Sequence, residues 1–175
     1  SSFLHLQALS GERLGDHDRA GELFRESLAI GKRLVDHDPE NVSWRHGLAV
    51  SHISLGFHAL RDGDIEEAGN RGRRSVELLR DLAATGDVGY EVLRDLAEAQ
   101  RCLAMTAAAR GDGEGARTWI AAATDTARRT LERSDEDRSR ETLAKCLILA
   151  GEIESDAGRA VAAEASWHEA HEILR

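Results

Sequence analysis

Apolar residues recur along most of the chain at steps of three, four and seven, the spacing of one face of an α-helix. Between residues 41 and 61, for example, Trp44, Leu48, Leu55 and Ala59 form such a stripe. Strict alternation of apolar and polar residues, which would indicate strands, is not sustained. The pattern therefore predicts a first helix over residues 41–61.

A second helix is predicted directly after a Gly-Asp turn. Asp64 suits the N-cap position, and Glu67, three residues on, can complete a capping box. A stripe of apolar residues then runs toward Gly86, which suits a C-terminal stop. The only proline, Pro39, cannot continue the preceding helix and can instead open the next.

This helix pair repeats along the chain. The segments 15–20, 63–68, 111–116 and 158–163 align without gaps, and their glycines follow each other at steps of 48, 48 and 47 residues. Four units result, at about 1–38, 39–86, 87–134 and 135–175. A period of this length is typical of repeat architectures.

A two-helix unit cannot bury its apolar face alone, so neighbouring units are expected to stack. The predicted fold is all-α: an α-α superhelix, or solenoid, of about four antiparallel helix hairpins in a single repeat domain. Small residues at aligned places would let the helices approach closely. They are Gly56, Ala104, Gly151, Ala20, Ala68, Ala116 and Ala163.

The repeat resembles the tetratricopeptide repeat, in which W-x2-L-G-x2-Y is followed by A-x3-F and a proline within 34 residues. Leu55-Gly56 with Ala59, then Ala68, follow this consensus in the second unit. His52 stands where the consensus has tryptophan, as does Gln100 in the third unit, and Gly72 replaces the aromatic residue of the second helix. Two extra turns on each helix would convert 34 residues into 48, so the chain is similar to a long-helix variety of the repeat.

Composition agrees with helices and excludes several classes of protein. Apolar residues make up 41% of the chain and aromatic residues 4%, which favours helix over strand. The formal charge of −9 disfavours general binding to nucleic acid or to anionic membranes. No apolar run is long enough for a transmembrane helix or signal peptide. Cys102 and Cys146 are expected to be small buried residues in a reducing cytoplasm rather than a disulfide framework.

The motifs that could indicate a metal, phosphate or catalytic site are weak. His168, His171 and Glu172 could share a helix face, but their spacing is not the H-E-x-x-H zinc signature. The glycine-rich segment 111–115 carries acidic residues and lacks a Gly-Lys-Ser/Thr sequence, so we interpret it as a turn. A basic cluster at residues 71–80 has acidic neighbours for intrahelical pairing. We therefore expect no enzyme activity, no metal and no cofactor.

In tetratricopeptide arrays the first helices of successive units line a concave groove that binds a peptide or a helix of a partner protein. The resemblance maps this groove onto nine residues in the second, third and fourth units. They are Val50, Ile53, Phe57, Glu98, Arg101, Met105, Lys145, Ile148 and Glu152. The alternative is that long helices bury the apolar members of this set as ordinary core and leave the charged members solvated.

The ends of the chain suggest a second kind of contact. The first unit holds only part of a first helix, and the chain stops in a second helix without a polar capping helix, so we expect a piece of a longer protein. Uncovered end faces would favour self-association. The resemblance implies a setting similar to repeat arrays appended to bacterial signalling proteins. The expected function is thus a non-catalytic interaction scaffold, with self-association or a regulatory sensor array as the alternative.

Overall fold

A computed structural model describes residues 17–86 and 89–175, and over these ranges the chain is helical with no strand. The prediction of an all-α fold is confirmed. Seven helices are present in the described ranges: α1 His17–His37, α2 Val42–Arg61, α3 Ile65–Ala84, α4 Tyr90–Ala109, α5 Gly113–Arg133, α6 Asp137–Asp156 and α7 Ala160–Ile173. The predicted half helix before residue 14, and the first of the four aligned glycines, lie outside the described residues.

By their contacts the helices form two compact units, which are larger than the predicted repeat units. The first compact unit ends at Thr85 and the second begins at Gly86. In the first unit, α2 packs against both α1 and α3. Phe24, Leu79 and Leu82 are fully buried there. Buried hydroxyl groups also link the helices, because Ser27 and Ser51 are hydrogen-bonded at 3.1 Å.

In the second unit the chain forms the hairpins α4–α5 and α6–α7. Helix α6 also packs against α5 and α4, so the two hairpins share one core. That core is built mainly from alanines with a few larger residues, among them Ile120, Leu143 and Leu147. Successive hairpins with short turns and alanine-rich contacts are the predicted packing of a helical repeat.

The turn inside each hairpin has the same backbone in three copies of the repeat. Gly63, Gly111 and Gly158 have φ angles of 79°, 74° and 73°. This left-handed region is open to glycine and costly for residues with a side chain. The regular spacing of these glycines is therefore explained by one turn geometry used repeatedly.

The residue after the turn glycine caps the next helix in two of the copies. Asp64 accepts a hydrogen bond from Glu67 N at 3.0 Å, and Asp112 accepts one from Gly115 N at 2.8 Å. In the last hairpin Arg159 takes this position and makes no such side-chain cap. The N-cap prediction for Asp64 is confirmed.

Two predicted details of the helix ends are wrong. Glu67 does not complete a capping box, because the Asp64 amide already donates to Ala59 O at 2.8 Å. The Glu67 carboxylate pairs instead with Arg71. Pro39 ends α1 but does not open α2, since Asn41 caps α2 by accepting from Trp44 N at 3.1 Å.

The small residues at equivalent positions of the repeat are buried, as predicted. Ala68 and Ala116 are 0% and 1% exposed. Gly151 lies directly under the indole ring of Trp167, whose Nε1 donates to Ile148 O at 3.3 Å. None of the described helices combines the length and apolarity needed to span a membrane.

Candidate functional site

One face of α4 carries three of the predicted groove residues. Glu98, Arg101 and Met105 follow each other at steps of three and four, so they lie on the same side of the helix. The Arg101 guanidinium donates to Glu98 Oε2 through Nε at 3.0 Å and through Nη2 at 2.8 Å. Each of these two side chains is only 17% exposed. Arg101 also contacts Met105 Sδ at 3.6 Å, so the three side chains form one ordered strip.

Helix α6 lies beside this strip. Thr142 Oγ1 donates to Glu98 Oε1 at 3.4 Å and so joins α6 to α4. Further along α6, Lys145, Ile148 and Glu152 are all exposed, and Lys145 pairs with Glu141 on its own helix. We call the six predicted residues on these helices the α4–α6 surface: Glu98, Arg101, Met105, Lys145, Ile148 and Glu152.

Ile148 is the apolar member that this surface offers to solvent. Its exposed fraction is 41%, which is large for an isoleucine on a helix whose neighbouring positions form the core. Charged side chains precede and follow it on α6. An apolar anchor surrounded by polar groups is the usual composition of a peptide-binding surface.

The thiols on α4 and α6 are buried. Burial raises the pKa of Cys102 to about 12, and the Arg101 charge opposes that rise. Burial likewise raises the pKa of Cys146 to about 12, and the Glu98 carboxylate adds to the effect. Both side chains are inaccessible and protonated at neutral pH, so neither is available as a nucleophile.

The three groove residues on α2, which were predicted in the second repeat unit, behave differently from one another. Val50 and Phe57 are half-buried, and Ile53 is only 8% exposed. Ile53 is therefore a core residue and offers no surface to a partner, as in the alternative packing considered for these helices. On α4 and α6 that alternative holds only in part. Ile148 is exposed and the charged Glu98 and Arg101 are mostly buried, whereas Lys145 and Glu152 are solvated.

The structure gives no support to the histidine metal site or to the glycine-rich segment as a binding site. His168 and His171 are exposed on α7. Within residues 17–86 and 89–175, no group of three or more His, Cys, Asp or Glu side chains could hold a metal ion. The glycine-rich segment 111–115 forms the turn before α5 and the first residues of that helix.

The basic cluster on α3 pairs within its own helix, as predicted. Arg71 lies 2.6 Å from Glu67 Oε1, and Arg74 lies 3.0 Å from Glu77 Oε2. Nothing in the pattern of residues indicates, however, that Arg71 and Arg74 also line a cleft together with Lys32. Their spacing of three shows that the two arginines share a helix face, but only packing brings a lysine from α1 to that face.

Comparison with known proteins bears on the fold. No protein-family model matches the chain, and no curated protein does. The structure is similar to the crystal structure of BtubC (BKLC) from P. vanneervenii, with a TM-score of 0.72 at 19% sequence identity. The match covers 98% of this chain and 62% of that chain, so this chain spans less than two thirds of that protein's length. At this level of identity the likeness establishes the helical fold alone.

Proposed function

We propose that the chain is a long-helix repeat protein of the tetratricopeptide type, which acts in the cytoplasm as a non-catalytic scaffold for a partner protein. The repeated left-handed turn glycines and the buried small residues support the repeat assignment. The observation that carries the function is the α4–α6 surface, where exposed Ile148 lies among charged side chains.

The proposed occupant is an amphipathic peptide or helix. Its apolar side chain would cover Ile148 and Met105, and its charged side chains would meet Lys145 and Glu152. The Glu98 and Arg101 side chains would form a rigid polar part of the surface, because they are already paired with each other. Burying an apolar anchor at the centre of such a surface is the usual source of affinity in helix-in-groove recognition.

The test uses peptides selected on the unmodified chain from a random peptide library, with affinity measured by fluorescence anisotropy. Ile148→Asp is expected to weaken their binding by about tenfold or more, because it removes an anchor and adds an unpaired charge. Val42→Asp is the matched control, since Val42 is 45% exposed on α2 and lies outside the surface. Circular dichroism checks that both variants remain folded. Equal affinity of Ile148→Asp and Val42→Asp for the selected peptides would rule out this surface.

A second candidate function is self-association, and the exposed side chains of the last hairpin favour it. Val161 and Trp167 on α7 are 83% and 40% exposed, and Leu174 just after it is 59% exposed. Apolar surface of this kind is unusual unless something covers it. The same side chains would serve for stacking within a longer array, such as a sensor array in a bacterial signalling protein.

Self-association is tested by analytical ultracentrifugation over a range of concentrations. The unmodified chain is expected to dimerise as concentration rises, and Val161→Asp combined with Leu174→Asp is expected to stay monomeric. The Val42→Asp variant should dimerise like the unmodified chain. A chain that remains monomeric at the highest concentration would refute this candidate.

A further inference from the structure

A polar cleft lies in the first compact unit, and none of its lining residues belongs to the α4–α6 surface. Its walls come from α1 and α3, and α2, which packs against both of these helices, contributes His52. The volume of the cleft is about 450 Å³, within the range of small-ligand sites. The residues lining it are Lys32, His52, Glu67, Asn70, Arg71 and Arg74.

The charges in this cleft are unbalanced. Lys32, Arg71 and Arg74 are cationic, and Glu67 is the only acidic residue of the lining, which leaves a formal excess of two positive charges. This excess occurs in a chain whose total charge is −9. A local concentration of positive charge in a concave site attracts anions.

The cations of the lining are not all neutralised by acidic side chains. Arg71 pairs with Glu67 on its own helix, and Arg74 pairs with Glu77, which is not part of the lining. Lys32 forms no ion pair with any residue of the described ranges. At least one cationic group that faces the cleft is thus available to a ligand.

His52 supplies the second indication that the cleft holds a ligand. The side chain is 4% exposed, and its Nδ1 is buried without a hydrogen-bond partner among the residues that the structure describes. Its pKa is lowered to about 3 by burial, by Arg71 and then by Lys32 and Arg74. A buried polar atom without a partner is rare in folded proteins and indicates a group that is satisfied by something else.

We propose that this cleft binds the phosphate group of inorganic phosphate or of a small phosphomonoester. A phosphate anion matches the net positive charge of this lining. Arg71 donates to Glu67 through Nε and Nη2, and Arg74 donates to Glu77 through Nη1, so the remaining N–H groups of both guanidinium groups are the donors for phosphate oxygens. Lys32 adds a point charge. Asn70 and the neutral ring of His52 are the uncharged polar groups of the same lining.

The test measures phosphate binding to the full chain by isothermal titration calorimetry at constant ionic strength. Inorganic phosphate and adenosine monophosphate are titrated in separate arms, and acetate is the control anion. One saturable site for phosphate is expected. Tighter binding of adenosine monophosphate would assign the site to an organic phosphate, and equal or weaker binding would assign it to free phosphate.

Two neighbouring residues of α1 provide a matched pair of variants. Lys32→Gln is expected to weaken phosphate binding by about tenfold. Arg33→Gln removes the same charge one residue away, from a side chain that is exposed and does not line the cleft, and is expected to leave binding within about twofold. Equal loss in both variants would show that only the general electric field matters, and would overturn the proposal.

The imidazole of His52 gives a readout that is independent of affinity. The NMR signals of its ring nitrogens are expected to shift on phosphate binding, because the anion offsets the charges of Lys32, Arg71 and Arg74, which line the same cleft. Glu67 stays paired with Arg71. The same shift should be absent with acetate. Saturable acetate binding with the same affinity, or no saturable phosphate binding, would refute the site.

Discussion

At the scale of single residues, glycine has different tasks at different positions of this chain. In the turns, Gly158 and its counterparts supply a left-handed backbone. Inside α6, Gly151 leaves room for Trp167, and a Cβ added there would overlap the indole ring. Inside α2, a Cβ added at Gly47 would meet no atom within 4 Å. The three positions look alike in the sequence and differ in what surrounds them.

This contrast predicts opposite effects for one substitution. Gly47→Ala is expected to raise the free energy of unfolding by about 0.5 to 1 kcal/mol, because alanine restricts the unfolded chain and fits the helix. Gly151→Ala is expected to lower it by about 1 to 3 kcal/mol, because the Trp167 ring must move. Urea unfolding followed by circular dichroism measures both values. Stabilisation by Gly151→Ala would show that the ring is not packed on α6.

At the scale of helices, the close contacts depend on the alanine that follows each turn. Ala68 begins the buried stripe of α3, and Ala116 begins that of α5. Both side chains are almost completely buried, and the first turns of their helices are capped by the carboxylates of Asp64 and Asp112. The helix ends leave little freedom for a larger residue at these positions.

Leucine in place of Ala68 or Ala116 is therefore expected to overpack the hairpin. Each change should lower the free energy of unfolding by about 1 to 3 kcal/mol. Ala121→Leu is the control, because Ala121 is exposed on α5, and it should alter stability by no more than about 0.5 kcal/mol. Chemical denaturation gives all three values. If Ala116→Leu were as harmless as the control, the assigned register of the repeat would be wrong.

Helix limits were predictable because they depend on neighbours in sequence. Asp64 and Gly86 act within one turn of their own positions, so their types and spacing were enough. The capping box failed because the turn before Asp64 already uses the amide that the box needs. The Ala59 carbonyl, from the preceding helix, had already taken the Asp64 amide.

At the scale of the whole molecule, the ionisation and reactivity of the two thiols depend on whether the chain is folded. Cys102 and Cys146 are free and buried, and their pKa values are raised to about 12. A raised pKa means that the fold favours the protonated thiol. This contribution to stability is complete below the ordinary thiol pKa of 9.0 and is lost as pH rises from there toward 12.

Both thiols are thus expected to resist an aromatic disulfide reagent at neutral pH and to react quickly once the chain is unfolded in urea. Alkaline conditions should lower the free energy of unfolding more in the unmodified chain than in Cys102→Ala combined with Cys146→Ala. Absorbance of the released thiolate measures the reaction, and urea titrations at rising pH measure stability. Rapid reaction of the native chain would contradict the burial of these side chains.

The amino-acid sequence alone determined the helices, their turns and the 48-residue spacing. These features follow from local propensity, capping and the backbone freedom of glycine, which act over a few residues. Only the tertiary structure decided which positions of a helix face are covered, because burial depends on side chains from other helices. Ile53 and Ile148 have the same type and were given the same role, yet one is core and the other is surface. Likewise, the chain order separates Lys32 from Arg71, and only the packing of α1, α2 and α3 places them on one cleft.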